Sequence, residues 1–277
     1  MFLWYYILMM VKVYGKINLV LNILGKEKDM HILDMLNTSI SLYDEIDVSF
    51  REDDVVFFDI VPYNDTFHKD KYINNVNIAL NKFFKKYGKI GLDIAIKKNI
   101  PLGAGIGGGS APIVGILKAL YTHIKKDPSM DELLIYGSDV PYMWNGGNKR
   151  VSNFGEVISN VDIPNMTFVI AKPNSGIDTK ESYDLYDKLT PSKQISIDEM
   201  IKDEFIVFHN DLEKASCKLN NDILVLKKMI VASGEICSMT GSGSAVFSVF
   251  NDEKEADRIL KFLNNYNYWA VCCSNKI

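Results

Sequence analysis

A glycine-rich run at residues 100–110 constrains this chain more than any other segment, because five of its eleven residues are glycine. Residues 91–96 before it alternate apolar and polar side chains as a strand does. After it, apolar residues recur at helical spacing from Ile113 to Leu120. A glycine loop that opens a helix lets backbone N–H groups approach an anion, and the helix N-terminus adds about half a positive charge. The run therefore predicts a phosphate-binding loop.

The run differs from the two best-known glycine loops. A P-loop needs Gly-Lys followed by Ser or Thr, and no lysine follows this loop before Lys118. The spacing also departs from strict G-x-G-x-x-G, and Pro112 lies in the first helical turn, where a missing N–H is tolerated. A flexible surface linker is the alternative, but the apolar elements on both sides argue against it.

Composition limits the classes of partner. The 277 residues suffice for one large domain or two modest ones, and 47% apolar with 24% charged residues is ordinary for a globular protein. A net charge of −4 gives no overall basic field for nucleic acid or an anionic membrane, so phosphate binding must be local. Four cysteines without a C-x-x-C pair and four histidines show no zinc pattern. We expect free thiols and a cytoplasmic location.

The apolar N-terminus needs its own interpretation. Residues 1–11 are too short to cross a bilayer, which takes about 20 residues. They also lack the positive start and small-residue cleavage site of a secretory signal. We expect the first strand to begin near Val11. Residues 1–9 form either an extra strand or a segment upstream of a start at Met10.

Strand and helix patterns alternate irregularly along the chain, which predicts an α+β fold rather than a strict β-α repeat. The predicted strands cover residues 11–24, 40–50, 55–61, 92–96, 142–144, 157–161, 166–171, 245–250 and 269–273. The predicted helices cover residues 74–87, the stretch from the glycine loop to 124, 131–136, 179–187, 197–203, 211–218, 222–232 and 252–264.

Lys16 is a lone charge in an apolar strand, and lysine is rarely buried without a partner. It either belongs to a solvated strand face with Asn18 and Asn22, or it lies on the floor of a cleft. The spacing leaves both interpretations open.

Asp139 stands at a break between a short helix and an apolar run. Taken alone, the position favours a turn aspartate that bonds its own backbone. A lysine close to an aspartate beside a phosphate loop would instead form a phosphoryl-transfer site, in which the carboxylate takes a proton and the lysine stabilises charge.

Three further features of the sequence are less specific. A second glycine turn at residues 239–244 either closes over a ligand or is a tight turn that enters a strand. His31 alone is typical of a structural or exposed histidine. The lysine pairs at 85–86, 97–98, 125–126 and 227–228 indicate solvated faces.

Three motifs in order, at residues 15–19, 101–110 and 239–243, resemble the GHMP superfamily of small-molecule kinases. The resemblance runs from about Val11 to the end of the chain. The triple glycine before Ser110 and the Ser-Asp-Val-Pro at residues 138–141 are similar to one branch in particular, whose acceptor is a cytidine-diphosphate methylerythritol. Residues 146–156, 173–183 and 210–213 extend that similarity.

The resemblance implies a fold and a reaction. Residues 1–160 would form an ATP-binding domain like the second domain of ribosomal protein S5, and residues 161–277 a ferredoxin-like domain. ATP with Mg²⁺ would lie over the loop, with a small-molecule substrate between the domains. The γ-phosphate would move to the 2-hydroxyl of the erythritol moiety in isoprenoid precursor biosynthesis. We expect no nucleic-acid or membrane partner, and a monomer or homodimer.

The resemblance also assigns roles. Lys16 and Asp139 match the catalytic pair, His31 a residue that recognises the cytosine edge, and Tyr183 an aromatic that stacks on the base. The positions implied to bind ATP are Pro101, Leu102, Gly103, Ala104, Gly105, Ile106, Gly107, Gly108, Gly109, Ser110 and Ala111. Those implied to bind the acceptor are Asn18, His31, Thr179, Tyr183, Gly241 and Ser242.

Five positions depart from the family pattern. Met30 replaces a stacking aromatic, and methionine offers contact area but no π-face. After Ser110 the chain lacks the usual second serine and the polar residue that follows it. Ile78 replaces a lysine, and Asn153 replaces a glycine at a site where asparagine tolerates left-handed backbone. The changes concern nucleotide recognition, not the catalytic pair.

Two other functions stay open. A GHMP-type kinase for another small alcohol, such as a mevalonate derivative or homoserine, is favoured by Met30 and opposed by His31 with Tyr183. A weakly catalytic nucleotide-binding paralogue is opposed by the presence of both Lys16 and Asp139.

Overall fold

A long antiparallel hairpin organises the first half of the chain. In the computed structural model, which describes residues 8–62, 69–203 and 206–276, β1 (Met9–Glu27) pairs with β2 (Met30–Arg51) from Met9↔Val48 to Glu27↔Met30. The strand predicted over residues 11–24 is confirmed. The strand predicted over 40–50 begins earlier, at Met30, because the hairpin turn lies at residues 28–29. Of the predicted extra strand at residues 1–9, residues 1–7 lie outside the described residues.

The sheet grows outward from β2 on both sides. β4 (Gly91–Lys97) and β5 (Asn148–Asn153) are its antiparallel neighbours. β3 (Val56–Val61) adds in parallel to β4, and β6 (Val157–Asn160) adds to β5. The strands predicted over residues 55–61, 92–96 and 157–161 are thus confirmed. β5 is a strand that the sequence did not predict, because its residues Asn-Lys-Arg-Val-Ser-Asn are mostly polar.

The second half joins the same sheet. β11 (Trp269–Lys276) pairs with β7 (Thr167–Lys172) and also with β2, through Asn275↔Ile40. β10 (Val246–Phe250) lies between β7 and β9 (Ser238–Met239), while β8 (His209–Asn210) pairs in parallel with β1. The described residues contain helices α1 (Lys69–Tyr87), α2 (Ala111–His123), α3 (Met130–Leu134), α4 (Val140–Asn145), α5 (Thr179–Tyr186), α6 (Ile197–Lys202), α7 (Glu213–Leu219), α8 (Asn221–Ala232) and α9 (Glu253–Asn265).

α2 is the buried helix that anchors the glycine loop. Its apolar residues Ile113 to Leu120 lie in the core, and each buried aliphatic side chain contributes about 1.5–3 kcal/mol relative to exposure. A side chain at Gly115 would come within 2.9 Å of Ile46 on β2, so glycine lets the helix lie close to the sheet. The N-terminus of α2 is therefore held firmly at residue 111.

One predicted strand is wrong. Residues 142–144 lie in helix α4, which starts directly after Asp139. Pro141 falls in the first turn of this helix, where its fixed φ favours helical backbone. The helix predicted over 74–87 begins earlier, at Lys69, and the one predicted over 211–218 begins at Glu213. The α+β prediction is confirmed.

Within the described ranges, every helix is too short or too polar to cross a membrane. The division into residues 1–160 and 161–277 stays a prediction.

Candidate active site

A cleft of about 260 Å³ lies where the two glycine turns meet β1, α4 and α5. It collects residues from seven separate segments of the chain, which the fold brings to one place. Its lining residues are Lys16, Asn18, Leu21, Leu33, Met35, Gly103, Ala104, Gly105, Gly107, Gly108, Gly109, Ser110, Ser138, Asp139, Phe154, Thr179, Tyr183, Gly241, Ser242 and Gly243.

The backbone of the glycine loop is oriented for an anion. Six consecutive carbonyls, at residues 103–108, accept hydrogen bonds from the protein, for example from the backbone N–H of Lys16 at Ile106 and of Ser244 at Gly103. None of the seven backbone N–H groups at 103–109 donates to another described residue. Since they have no acceptor among the described residues, these N–H groups remain available to a phosphate.

A buried ion pair supports this loop from below. The Nζ of Lys98 donates to the carbonyl of Gly108 at 2.7 Å and pairs with the carboxylate of Asp44. That carboxylate also accepts the backbone N–H groups of Asn99 and Ile100, at 2.8 and 2.9 Å. Burial raises the pKa of Asp44 and lowers that of Lys98, and the partner's charge opposes each shift. The pair holds the loop at its centre.

The prediction that Lys97 and Lys98 form a solvated face is wrong for Lys98, which is 1% exposed. Strand alternation turns Lys97 outward, toward Glu45, and Lys98 inward, toward Asp44. The alternation of β4 was the available signal, and it was missed because adjacent lysines usually mark a surface.

Two contacts explain the glycines at the loop. A side chain at Gly108 would lie 2.1 Å from the carbonyl oxygen of Pro101. At Gly105, which has a φ of +72°, a side chain would lie 2.2 Å from the carbonyl oxygen of Thr240 in the second glycine turn. A side chain added at Gly241 would likewise clash with the backbone of Gly105, so the two glycine turns pack backbone to backbone. The second turn is therefore both a tight turn and part of the cleft wall.

Ser110 occupies the N-cap position of α2, yet its side chain does not cap the helix. With Pro112 in the first turn, the helix loses one donor without loss of a hydrogen bond. The Ser110 hydroxyl lines the cleft and makes no hydrogen bond to a described residue. It is therefore free to contact a phosphate or a metal ion.

Lys16 lies on the floor of the cleft, with only 4% of the residue exposed. An irregularity in the β1–β2 pairing between Tyr14 and Lys16 frees its backbone N–H for the loop carbonyl of Ile106. Its Nζ donates to Oδ1 of Asn18 at 2.7 Å and lies 3.7 Å from Oδ1 of Asp139. The solvated-face alternative is therefore wrong.

Asp139 does not bond its own backbone, although it holds the N-cap position of α4. The interpretation as a turn aspartate is thus wrong. Its carboxylate is 36% exposed, faces Lys16, and accepts no hydrogen bond from a described residue. A carboxylate with open lone pairs beside an ammonium can accept a proton from a hydroxyl.

Asn18 is held by both halves of the chain. Its Nδ2 donates to Oδ1 of Asn37 at 2.7 Å, and its backbone N–H donates to Oγ1 of Thr240 at 3.0 Å. Asn22, which shares its parity, leaves the cleft and exchanges two hydrogen bonds with the backbone of Ile195. The pairing irregularity between Asn18 and Val20 interrupts the alternation that the sequence suggested.

The other predicted acceptor residues form a connected wall. Thr179 and Ser242 share a hydrogen bond of 2.9 Å. Tyr183, one turn along α5, lines the cleft, and burial raises the pKa of its phenol. His31 does not line the cleft itself, but its ring packs on Tyr183 with centroids 4.6 Å apart.

Several predicted positions lie away from the cleft. Pro101, Ile106 and Ala111 are buried beneath the loop, and Leu102 is half-buried beside them. Met30 is 50% exposed at the end of the hairpin, and Ile78 is exposed on α1. Asn153 has a φ of +63°, as its replacement of a glycine predicted.

Sequence reasoning missed two groups of residues. Asp44, which pairs with Lys98, and Asp187, which lies beside His31, come from distant segments, and no local pattern marks these two carboxylates. The apolar wall of Leu21, Leu33 and Met35 belongs to the strands that carry Lys16 and Asn18. Among the described residues, no three His, Cys, Asp or Glu side chains gather into a metal site.

Comparisons with known proteins agree with this geometry. Residues 73–147 match the GHMP kinases N terminal domain, and residues 209–268 match the GHMP kinases C terminal domain. The chain is 33% identical over 270 residues to 4-diphosphocytidyl-2-C-methyl-D-erythritol kinase of Clostridium acetobutylicum, covering 90% of this chain and 94% of that protein. A kinase of the same name from Clostridium perfringens is 31% identical over 289 residues, covering 97% and 98%.

Solved structures show the same fold. A crystal structure of 4-(cytidine 5'-diphospho)-2C-methyl-D-erythritol kinase has a TM-score of 0.77 at 22% identity, covering 97% of this chain and 100% of that chain. The homoserine kinase of Cytophaga hutchinsonii has a TM-score of 0.67 at 16% identity, covering 100% and 97%. The predicted GHMP fold is thus confirmed, and GHMP kinases use ATP as the phosphate donor. Since a relative that is 33% identical aligns with nearly the whole chain, this protein belongs to the GHMP kinases, in the 4-diphosphocytidyl-2-C-methyl-D-erythritol kinase family.

Proposed function

We propose that this chain transfers the γ-phosphate of ATP to the 2-hydroxyl of 4-diphosphocytidyl-2-C-methyl-D-erythritol, in isoprenoid precursor biosynthesis. One observation carries the proposal. Lys16 and Asp139 face each other at 3.7 Å, in a cleft that also contains the open N–H groups of the glycine loop. The names of relatives that align along almost the whole chain support this acceptor.

Asp139 and Lys16 divide the chemistry. Asp139 accepts the proton of the 2-hydroxyl. As it does so, the hydroxyl oxygen bonds to the γ-phosphorus, and the bond between that phosphorus and the bridging oxygen of ADP breaks. Lys16 stabilises the negative charge on the moving phosphoryl group. Its ammonium is held by Asn18, so little reorganisation is needed during the reaction.

The loop at residues 103–109 would bind the ATP phosphates through its backbone N–H groups, with the N-terminus of α2 behind it. Mg²⁺ in such sites is held mainly by substrate phosphates and water, with one or two protein ligands. The Ser110 hydroxyl fits that requirement because it lines the cleft and makes no hydrogen bond to a described residue. The ion would supply positive charge to the phosphates.

The acceptor would lie along α5 and the second glycine turn. Asn18, Thr179, Gly241 and Ser242 surround the space beside Asp139, where the hydroxyl must sit. Tyr183 offers a ring for the pyrimidine, and His31 lies next to it. These roles follow from the predicted assignments and the position of each side chain.

A second candidate is a GHMP-type kinase for another small alcohol. The observation that favours it is Met30, which is half-exposed where the family uses an aromatic. Methionine still contributes polarisable contact area, so its presence weakens stacking without removing the site.

The test is coupled ADP release with purified protein, ATP and Mg²⁺, and four separate acceptors: the cytidine compound, mevalonate, phosphomevalonate and homoserine. Turnover with the cytidine compound alone supports the proposal. Turnover with another acceptor would be consistent with the roles of Lys16 and Asp139 but would contradict the proposed substrate. Binding of ATP without any turnover would favour a non-catalytic paralogue.

We place the reaction in the cytoplasm, with a monomer or homodimer as the acting species. All four cysteines are free, as a reducing compartment requires. Burial raises the pKa of Cys217 to about 11 and that of Cys237 to about 12, so both thiols stay protonated and unreactive.

A further inference from the structure

Asp187 binds the tip of the β1–β2 hairpin to the end of α5. Its Oδ1 lies 2.7 Å from Nε2 of His31, and its Oδ2 lies 2.6 Å from Nζ of Lys26. Lys26 and His31 are cross-strand partners at the end of the hairpin. Lys26 and His31 are 161 and 156 positions from Asp187 in the chain, so only the tertiary fold brings them together.

The location of Asp187 is unfavourable for a carboxylate on its own. It is the C-cap of α5, where the helix dipole is negative and repels an acidic side chain. Two cationic or donor side chains offset that repulsion. Hydrogen bonds from His31 and then Lys26 hold the pKa of Asp187 below its usual range, so the carboxylate is ionised at neutral pH.

An ionised carboxylate only accepts hydrogen bonds, so Nε2 of His31 must carry the proton. Nδ1 of His31 has no hydrogen-bond partner among the described residues. The ring is also oriented by Tyr183, with an interplanar angle of 30°, and by the edge of Tyr186 at 6.4 Å between centroids. His31 is thus fixed in both orientation and tautomer.

We infer that Asp187 is a positioning residue for base recognition, acting through His31. In the neutral imidazole, a proton held on Nε2 leaves Nδ1 as the acceptor beside Tyr183. An acceptor nitrogen pairs with the 4-amino group of cytosine, whereas the 4-carbonyl of uracil would place two lone pairs against each other. The inference deepens the proposed function and rests on it, since the base belongs to the proposed acceptor.

The first experiment is kinetic and uses Asp187→Asn, which keeps the shape but no longer fixes the tautomer. We expect the KM for the cytidine acceptor to rise about tenfold, the size of one lost hydrogen bond, with kcat within about threefold of the wild type. The ratio of kcat/KM for the cytidine acceptor to that for the uridine acceptor should also fall. The matched control is Asp184→Asn, an exposed carboxylate on the same helix, which should change neither value.

A double-mutant cycle separates positioning from a structural role. In a His31→Ala background, Asp187→Asn should raise KM no further, because its effect passes through the imidazole. Equal KM effects with and without His31 would overturn the inference. An unchanged KM in the single Asp187→Asn variant would also overturn it.

Side-chain ¹⁵N NMR of His31 tests the tautomer in the free protein, independently of any acceptor. We expect protonation at Nε2 and a bare Nδ1 in the wild type, and a tautomer mixture in Asp187→Asn. A wild-type ring protonated at Nδ1 alone would overturn the inference while leaving the proposed function intact. A wild type inactive on the cytidine acceptor would overturn the proposed function, and the base-reading role with it.

Discussion

The ammonium of Lys16 lies between Oδ1 of Asn18, at 2.7 Å, and Oδ1 of Asp139, at 3.7 Å. The closer partner is neutral and the farther one is charged. Lys16 is therefore anchored by the amide, while the carboxylate of Asp139 keeps open lone pairs toward the cleft. A direct, short ion pair would occupy the carboxylate and weaken it as a base.

Asp139→Asn removes the carboxylate that we propose as the acceptor of the hydroxyl proton but keeps the shape of the side chain. We expect turnover to fall about 100-fold or more, the usual contribution of a general base, with ATP affinity almost unchanged. Steady-state kinetics and ATP titration measure the two quantities. Asp131→Asn, on exposed surface of α3, is the control. Near-normal turnover would remove Asp139 from the mechanism.

Lys16→Met removes the charge that we propose stabilises the transferred phosphoryl group, while nearly keeping the length of the side chain. We expect kcat to drop about 100-fold, because the lysine acts on charge that develops in the transition state. The exposed Lys12→Met on the same strand should leave kcat unchanged. An unchanged kcat in Lys16→Met would contradict the assigned role.

Gly108→Ala tests the backbone of the phosphate loop. The added methyl group would lie 2.1 Å from the carbonyl oxygen of Pro101, so the loop must move. We expect the KM for ATP to rise about tenfold, since several loop N–H groups lose their alignment. Gly109→Ala is a matched control because nothing lies within 4 Å of its added atom. Equal KM values for the two variants would show that the loop tolerates the displacement.

Lys98→Met leaves the carboxylate of Asp44 buried without its cation. We expect a loss of about 3–5 kcal/mol in the free energy of unfolding, measured with urea. The exposed neighbour Lys97→Met should cost little, as surface ion pairs contribute at most about 1 kcal/mol. Combining Lys98→Met with Asp44→Asn should recover part of the loss. A full loss in the double variant would mean that packing, not charge, dominates.

Asp211 gives a pH dependence of stability. Burial alone would raise its pKa, but hydrogen bonds from His209, Ser192 and the backbone N–H of Ile23 outweigh burial, so the pKa lies below the usual 3.8. Because the pKa of Asp211 is lower in the folded than in the unfolded state, the ionised carboxylate stabilises the protein above about pH 3.8. This stabilisation is lost as the pH falls through the folded-state pKa. The Tm difference between wild type and Asp211→Asn should therefore shrink in acid. A difference independent of pH would contradict this assignment.

Local patterns revealed the chemical parts of the site. Local patterns pointed to the glycine loop and to Lys16, the family resemblance added Asp139 and Tyr183, and the cleft brings all of them together. Local patterns failed where long-range contacts decide. Residues 142–144 resemble a strand by composition, but the proline at 141 and packing place them in α4. Lys98 resembles a surface residue until Asp44 is placed opposite it.

The sequence by itself determined the family, and it predicted the phosphate loop and the residues of the proposed chemistry, because these depend on local backbone requirements and on motif order. Only the tertiary structure decided which groups meet. It closed the β1–β2 hairpin against α5, so that Asp187 holds His31, and it folded β4 so that Lys98 supports Gly108. The physical reason is that charge pairing and burial depend on contacts between residues far apart in the chain, which no local spacing encodes.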